Sequence, residues 1–249
     1  MKKVKEVKKS KGKIEISTFV LKHPNIAALI ISLIVLLTFF LFYSAYDKER
    51  GELNFSLLEK IISFQDSYFS TREINKLTAL AGLVLLSFAF LPGPISKIFP
   101  NYSFLLVLRK PLGFIGFLLI LYHGHVSFFY YYKGDLYNAL FNNPKVVAFI
   151  AALISFFIFF LMAITSTKKA VELLTYEKWK LLQRIGYIAL LLAVIHFVVI
   201  ETKPDKGLVI RPFGYVALII PILTLILRIY VHISKIGTER KAYEKHFTP

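Results

Sequence analysis

The sequence predicts an all-α integral membrane protein, a bundle of six transmembrane helices with both termini in the cytoplasm. Hydrophobic residues make up 56% of the 249 residues and come in blocks of about 20, the length at which a helix crosses about 30 Å of hydrocarbon. The net charge of +16 comes from lysines and arginines beside these blocks, which is typical of cytoplasmic loops rather than of a nucleic-acid-binding surface. The absence of cysteine excludes disulfides and thiolate metal sites.

The predicted organisation is a six-helix membrane domain over residues 25–233, between a basic cytoplasmic tail at 1–24 and a second one at 234–249. The predicted helices cover residues 25–46, 71–90, 111–132, 146–165, 179–200 and 213–233. Thr71 is a candidate N-cap, the prolines after residue 90 are expected to end the second helix, and Pro221 is expected to kink the sixth. A short interfacial helix is predicted near Ile61 because apolar residues recur there at helical spacing.

The charge of the connecting segments assigns the sides of the membrane. The two tails and the segments before the third and fifth helices carry excess lysine and arginine, whereas the loops 47–73, 133–145 and 201–211 mix both signs. Six crossings with both termini inside satisfy the positive-inside rule. We also expect no aspartate or glutamate within a crossing, which counts against a transporter, since transporters often carry such residues on broken helices at the midplane.

Histidines at membrane depth are the candidate functional residues. His123 lies in the third helix and His196 in the fifth, and ionisable side chains in a bilayer are costly enough to mark a functional site. Both helices enter from the cytoplasm, so the rise of about 1.5 Å per residue places both histidines in the outer half. His125 points about 200° away from His123 around the helix. We therefore treat His125 as a backup ligand or as a polar group facing a neighbour.

Two neutral imidazoles on facing helices can bind both axial positions of a heme iron. Small and aromatic residues on the same two helices would suit a flat ring: Gly113, Gly116, Gly124, Gly186, Phe114, Phe117, Tyr122, Tyr187 and Phe197. Alternatively, the histidines only form hydrogen bonds between helices, a common role of polar residues in membranes. The residues alone leave both interpretations open.

A basic cluster beside a tryptophan lies at the cytoplasmic end of the same helices. It consists of Arg109, Lys110, Lys180 and Arg184, with Trp179 next to them. Cationic side chains suit a flavin phosphate and an indole suits a flat ring, so FMN or a quinol is a candidate ligand. The alternative is ordinary positive-inside anchoring with an interfacial tryptophan.

Residues 78–202 resemble the ferric reductase-like transmembrane domain family, and most closely the heme-binding membrane subunit of the periplasmic methionine sulfoxide reductase system. The resemblance rests on four ordered pieces: TALAGLVLLSFAFLPGP, RKPLGFIGFLLILYH, LMAITS and WKLLQRIGYIALLLAVIH. It implies heme b and places His123 and His196 on the heme histidines. It also matches Trp179, Arg184 and Tyr187 to the W-x-x-L-H-R-L-x-Y run of that subunit.

The chain departs from two-heme relatives at one position. Those relatives carry a further histidine thirteen residues before the one matched by His196, and this position is Gln183 here. The facing positions on the third helix are Lys110 and Arg109, and none of the three is a usual heme ligand. The resemblance therefore implies a single heme in the outer half of the membrane.

Together these observations predict a b-type cytochrome of the bacterial inner membrane that passes electrons outward. No G-x-G-x-x-G unit is present, so the donor would be a separate cytoplasmic flavin reductase or the quinol pool. By resemblance, the acceptor would be an extracytoplasmic oxidoreductase such as a methionine sulfoxide reductase. The alternatives are a transmembrane reductase of ferric iron or another metal, and a non-redox transporter or assembly protein with structural histidines.

Overall fold

The computed structural model describes residues 15–43, 45–47, 52–65 and 67–247, with the backbone alone for 43, 47, 57, 58, 67–69, 168, 176 and 235–247. Residues 1–14 of the predicted basic tail lie outside the described residues. Within the described part, six helices are long and apolar enough to cross a membrane: Pro24–Phe42, Ser70–Ile98, Pro100–Tyr131, Val146–Ile164, Glu177–Glu201 and Pro212–Ser234. The predicted all-α, six-helix membrane architecture is confirmed.

The secondary structure is almost entirely helical. The α-helices are α1 (Pro24–Thr38), α2 (Phe55–Ser63), α3 (Ser67–Phe90), α4 (Pro92–Ile98), α5 (Arg109–Val126), α6 (Leu136–Phe141), α7 (Val146–Ile164), α8 (Lys168–Leu174), α9 (Tyr176–Glu201) and α10 (Pro212–Phe247). Residues 15–22 are also helical. In the described part, β1 (Tyr46–Asp47) pairs with β2 (Glu52–Leu53), and β3 (Thr202–Lys203) pairs with β4 (Gly207–Leu208). Both pairs are antiparallel hairpins that connect successive crossings.

Helix α3 is the centre of the bundle. Buried residues form 72% of its most apolar window, against 22% in each of the other five crossings. It packs most extensively against α5, while α9 packs against α7. Glycines allow the close approach of α3 and α5, because a Cβ on Gly116 would lie 3.0 Å from the Leu86 nitrogen and 3.1 Å from the Gly82 oxygen. Small residues at such contacts are a common basis of helix association in membranes.

The second crossing is longer than predicted. Its helix α3 begins at Ser67 rather than at Thr71, and the P-G-P sequence does not end the crossing, because α4 continues directly after Leu91. The predicted loop before the third helix is also helical, consisting of α4 and a 3₁₀-helix over Pro100–Leu108.

Pro94 leaves one backbone carbonyl of this crossing without its helical donor, and a side chain of another helix donates to it instead. Pro94 has no N–H to donate to the Phe90 carbonyl, and the Tyr187 hydroxyl donates to that oxygen at 3.2 Å. Arg109 Nε donates to the neighbouring Ala89 carbonyl at 3.2 Å. A proline in a membrane helix is tolerated where such partners exist, which is why these residues do not end the crossing.

Other helix boundaries shift by a few residues. The first crossing leaves α-helical geometry after Thr38, continues as a π-helix over Phe39–Tyr43 and reaches β1 at Tyr46, so it is shorter than the predicted 25–46. A short helix, α2, is present near Ile61 as predicted, with the Asn54 side chain accepting from the Ser56 N–H at 3.1 Å. Its position at the membrane interface stays a prediction.

Candidate functional site

The two predicted histidines face each other between α5 and α9. The ring centroids of His123 and His196 are 6.2 Å apart, with the ring planes inclined by 68°. A metal–imidazole bond is about 2 Å long, so two imidazoles on opposite sides of one metal have ring centres about 6 Å apart. The separation of the two rings would therefore suit one metal held between them.

The hydrogen bonds of the two rings define their tautomers. His123 Nδ1 lies 3.0 Å from Asn75 Oδ1 and 3.2 Å from the Asn75 carbonyl oxygen, and His196 Nδ1 lies 2.9 Å from the Ala148 carbonyl oxygen. Carbonyl oxygens only accept hydrogen bonds, so each Nδ1 carries the proton. This assignment leaves each Nε2 with its lone pair. It is the arrangement of metal-binding histidines, which commonly donate their other ring N–H to a carbonyl.

Asn75 belongs to the candidate site, and the sequence analysis missed it. Its side chain is buried in α3, with 5% of the residue exposed, and its Nδ2 donates to Ser127 Oγ at 3.1 Å. Ser127 thereby orients the amide so that Oδ1 faces His123. An amide within an apolar crossing is costly unless it is bonded, and this signal was available in the sequence.

The pair of histidines suits a heme better than a metal ion bound by protein ligands alone. Among the described residues, no group of three or more histidine, aspartate or glutamate side chains is arranged to hold a metal. A bare ion would therefore receive only two protein ligands here, below the three or more that zinc sites use. A porphyrin supplies the remaining ligands of its iron and needs only the axial pair. The residues present fit this group.

The other residues predicted to surround a flat ring mostly serve helix packing instead. A Cβ on Gly186 would lie 2.5 Å from Phe90, and one on Gly113 would lie 3.5 Å from the Ala89 side chain. Gly124, next to His123, differs from these because a Cβ there would meet no described atom within 4 Å. Gly124 therefore borders open space. His125 is exposed and contacts Phe129 in a tilted arrangement, with ring centroids 4.7 Å apart, so it is not brought together with the other two histidines.

A buried ion pair involves Glu73, two residues before Asn75, at the end of the bundle where α3 begins. Arg211 binds Glu73 through two hydrogen bonds of 2.7 and 3.1 Å, and Glu73 is 2% exposed. Lys76 and Glu201 lie 3.9 Å apart beside it. The expectation of no acidic residue within a crossing was wrong for Glu73, which lies inside Ser70–Ile98. The β3–β4 hairpin precedes Arg211 and brings it to this carboxylate, a partner that sequence spacing does not reveal.

A cavity of about 770 Å³ lies at the opposite end of the bundle, where α5 and α9 begin. We call it the Trp179 cavity. Four of the residues singled out in the sequence line it, namely Arg109, Lys110, Trp179 and Gln183, together with apolar residues that include Leu86, Phe90, Phe117, Phe159 and Met162. Lys180 and Arg184 are not among the described lining residues. The basic cluster therefore divides into residues that border the cavity and residues that do not.

Comparison with known proteins identifies a related family. Residues 78–194 match the family model described as ferric reductase like transmembrane component, which indicates membrane electron transfer. The match contains Asn75's partner His123 and ends two residues before His196. The comparison with curated proteins finds no match to the chain.

Proposed function

We propose that the chain is a membrane electron-transfer protein with a single heme b, whose iron is bound axially by His123 and His196. The observation that carries the proposal is the pairing of the two imidazoles 6.2 Å apart, with both Nδ1 atoms engaged by carbonyl oxygens. The family match over residues 78–194 supports it. Bound at this position, heme would supply one-electron redox chemistry.

The protein's own contribution is to hold the two Nε2 atoms and to exclude water. Asn75 and the Ala148 carbonyl fix the orientations of the two histidine rings. The rings would therefore move little when the site gains or loses an electron. The apolar surroundings and the hydrogen bonds at Nδ1 are the features by which a protein tunes an iron site.

The charges at the two ends of the bundle indicate which end faces the cytoplasm and, with it, the side on which each electron-transfer partner would act. The Trp179 end carries Lys97, Arg109, Lys110, Lys178 and Lys180, which by the positive-inside rule faces the cytoplasm. The donor, a separate flavin reductase or quinol, would act there, and an acceptor would act at the Glu73 end. By resemblance, this acceptor is an extracytoplasmic oxidoreductase such as a methionine sulfoxide reductase, and the membrane is the bacterial inner membrane.

Optical spectra of purified protein, oxidised and dithionite-reduced, test the heme. We expect His123→Ala and His196→Ala each to remove most of the low-spin heme signal, because the iron loses one axial ligand. His125→Ala is the matched control on the same helix and should keep most of the signal, because the His125 ring contacts Phe129 instead. Loss of heme in the His125 variant alone, or normal heme in the other two variants, would refute the ligand assignment. A heme-to-protein ratio near two would reject the single site.

The Trp179 cavity is the proposed binding place for the donor's flat ring, either FMN or a quinol. Lys110 is an exposed cation at its border and suits a phosphate or a polar headgroup, while Trp179 offers an aromatic face. Gln183 lies thirteen residues before His196 in α9, or about 20 Å along the helix. A ligand in the cavity would therefore lie on the donor's side of the histidine pair.

Fluorescence offers a direct test, because Trp179 is the only tryptophan of the chain. We expect FMN or a short-chain quinone to quench its emission saturably, and Lys110→Ala to weaken the binding several-fold. Lys180→Ala is the matched control, since it removes the same charge from a residue that is not among the described cavity lining. Quenching that does not saturate, or equal effects of the two variants, would contradict a ligand site in the cavity.

A further inference from the structure

The two histidines are held by different kinds of acceptor. His196 donates from Nδ1 to the main-chain carbonyl of Ala148 at 2.9 Å, an acceptor that any residue at position 148 would offer. His123 donates to the side-chain Oδ1 of Asn75 at 3.0 Å, an acceptor that depends on the amide. The sequence can therefore adjust His123 through one side chain.

We propose that Asn75 is a positioning residue that fixes the Nδ1–H tautomer of His123 and lowers the reduction potential of the iron that this histidine binds. The inference rests on the proposed function, since it takes His123 as an axial ligand. It adds a side chain of α3 to a site formed by the histidines of α5 and α9 and by the Ala148 carbonyl of α7.

The orientation of the amide is determined by its second partner. Asn75 Nδ2 donates to Ser127 Oγ at 3.1 Å, and an amide that uses its NH₂ group in one direction presents its oxygen in the other. The oxygen therefore faces His123 and can only accept. An acceptor at Nδ1–H makes the opposite nitrogen a better electron donor, and a more basic axial ligand favours the oxidised iron.

Burial strengthens the effect of Asn75 on the reduction potential. A backbone acceptor beside the ring allows this effect to be distinguished from mechanical support of the ring. Asn75 is 5% exposed, so its hydrogen bonds act in a medium of low dielectric constant. The Asn75 carbonyl oxygen also lies 3.2 Å from His123 Nδ1. A variant without the amide therefore keeps one acceptor near the ring, which limits displacement of the ring and isolates the contribution of Oδ1.

The test is the midpoint potential of the heme-loaded protein, with the ferric low-spin electron paramagnetic resonance spectrum as a second measurement. Asn75→Leu should shift the potential to a more positive value and lower heme affinity by about tenfold, the size typical of a lost partner of a metal ligand. Asn75→Asp restores an acceptor and should return the potential to the wild-type value or below. Ser127→Ala, which frees the amide to rotate, should give a smaller positive shift.

Ser87→Ala is the matched control. Ser87 is fully buried in the same helix, and its hydroxyl donates to the Leu83 carbonyl of that helix at 2.7 Å, so its removal should leave both the potential and the spectrum unchanged. If the Asn75→Leu and Ser127→Ala potentials match the Ser87→Ala potential, Asn75 does not tune His123, while the heme assignment stands. Wild-type protein without heme would overturn the proposed function and this inference together.

Discussion

Breaking the buried ion pair between Arg211 and Glu73 should destabilise the bundle strongly. Two hydrogen bonds of 2.7 and 3.1 Å join the side chains, and only 12% of the Arg211 side chain and 2% of the Glu73 side chain are exposed. Hydrogen bonds to charged groups contribute about 1.5–3 kcal/mol each. Removing one partner of a buried pair costs about 3–5 kcal/mol because the other charge remains buried. We therefore expect Arg211→Met to lower the free energy of unfolding by about 3–5 kcal/mol.

A double-mutant cycle separates the pair from simple loss of packing. Glu73→Leu combined with Arg211→Met removes both charges, and an apolar replacement of a buried pair is often nearly neutral. The double variant should be less destabilised than the sum of the single variants by about 2 kcal/mol or more, within the range of coupling between residues in contact. Reversible unfolding in mixed micelles, with an increasing fraction of denaturing detergent, measures each free energy.

The neighbouring ion pair provides the control for charge alone. Lys76 and Glu201 approach only to 3.9 Å, and 27% of the Lys76 side chain is exposed, so Lys76→Met should cost at most about 1 kcal/mol. An Arg211→Met variant that loses no more stability than Lys76→Met would refute this reasoning. Additive single substitutions in the cycle would also refute it.

Two further predictions concern helix packing and helix ends. Gly116→Ala should destabilise the bundle by about 1–3 kcal/mol, because the new Cβ would lie 3.0 Å from the Leu86 backbone nitrogen. Gly124→Ala on the same helix should not destabilise it, because no described atom lies within 4 Å of the new Cβ. Equal unfolding free energies of the two variants would contradict the predicted clash at Gly116. Lys145→Met should lower the free energy of unfolding by about 1 kcal/mol, because the Lys145 Nζ donates to the Val199, Ile200 and Thr202 carbonyls at the end of α9. An unchanged unfolding transition in the same micelle assay would show that water replaces these hydrogen bonds.

The predicted position of the histidine pair agreed with the structure because it followed from helix geometry alone. A fixed rise per residue and a common direction of entry place His123 and His196 at similar depth, whichever neighbours the helices have. The structure brings the two rings together as this reasoning requires. Their role as heme ligands remains the proposal stated above.

Predictions that depended on which helix packs against a given residue agreed less well with the structure. Gly116 and Gly186 were assigned to a cofactor surface, whereas they contact α3 and α7 residues instead, because a glycine in an apolar helix looks the same whether a ring or a backbone approaches it. The P-G-P sequence was expected to end a helix. It does not, because the Tyr187 hydroxyl donates to the Phe90 carbonyl in place of the N–H that Pro94 lacks.

The sequence by itself determined the number of crossings and the matching heights of the two histidines along their helices, since hydrophobic length and helical rise are local properties. Only the tertiary structure decided that Asn75 holds His123, that Arg211 neutralises Glu73 and that Lys110 borders a cavity while Lys180 does not. Each of these arrangements brings together residues from separate segments of the chain. Their formation depends on how the helices rotate and pack against one another, which no local pattern specifies.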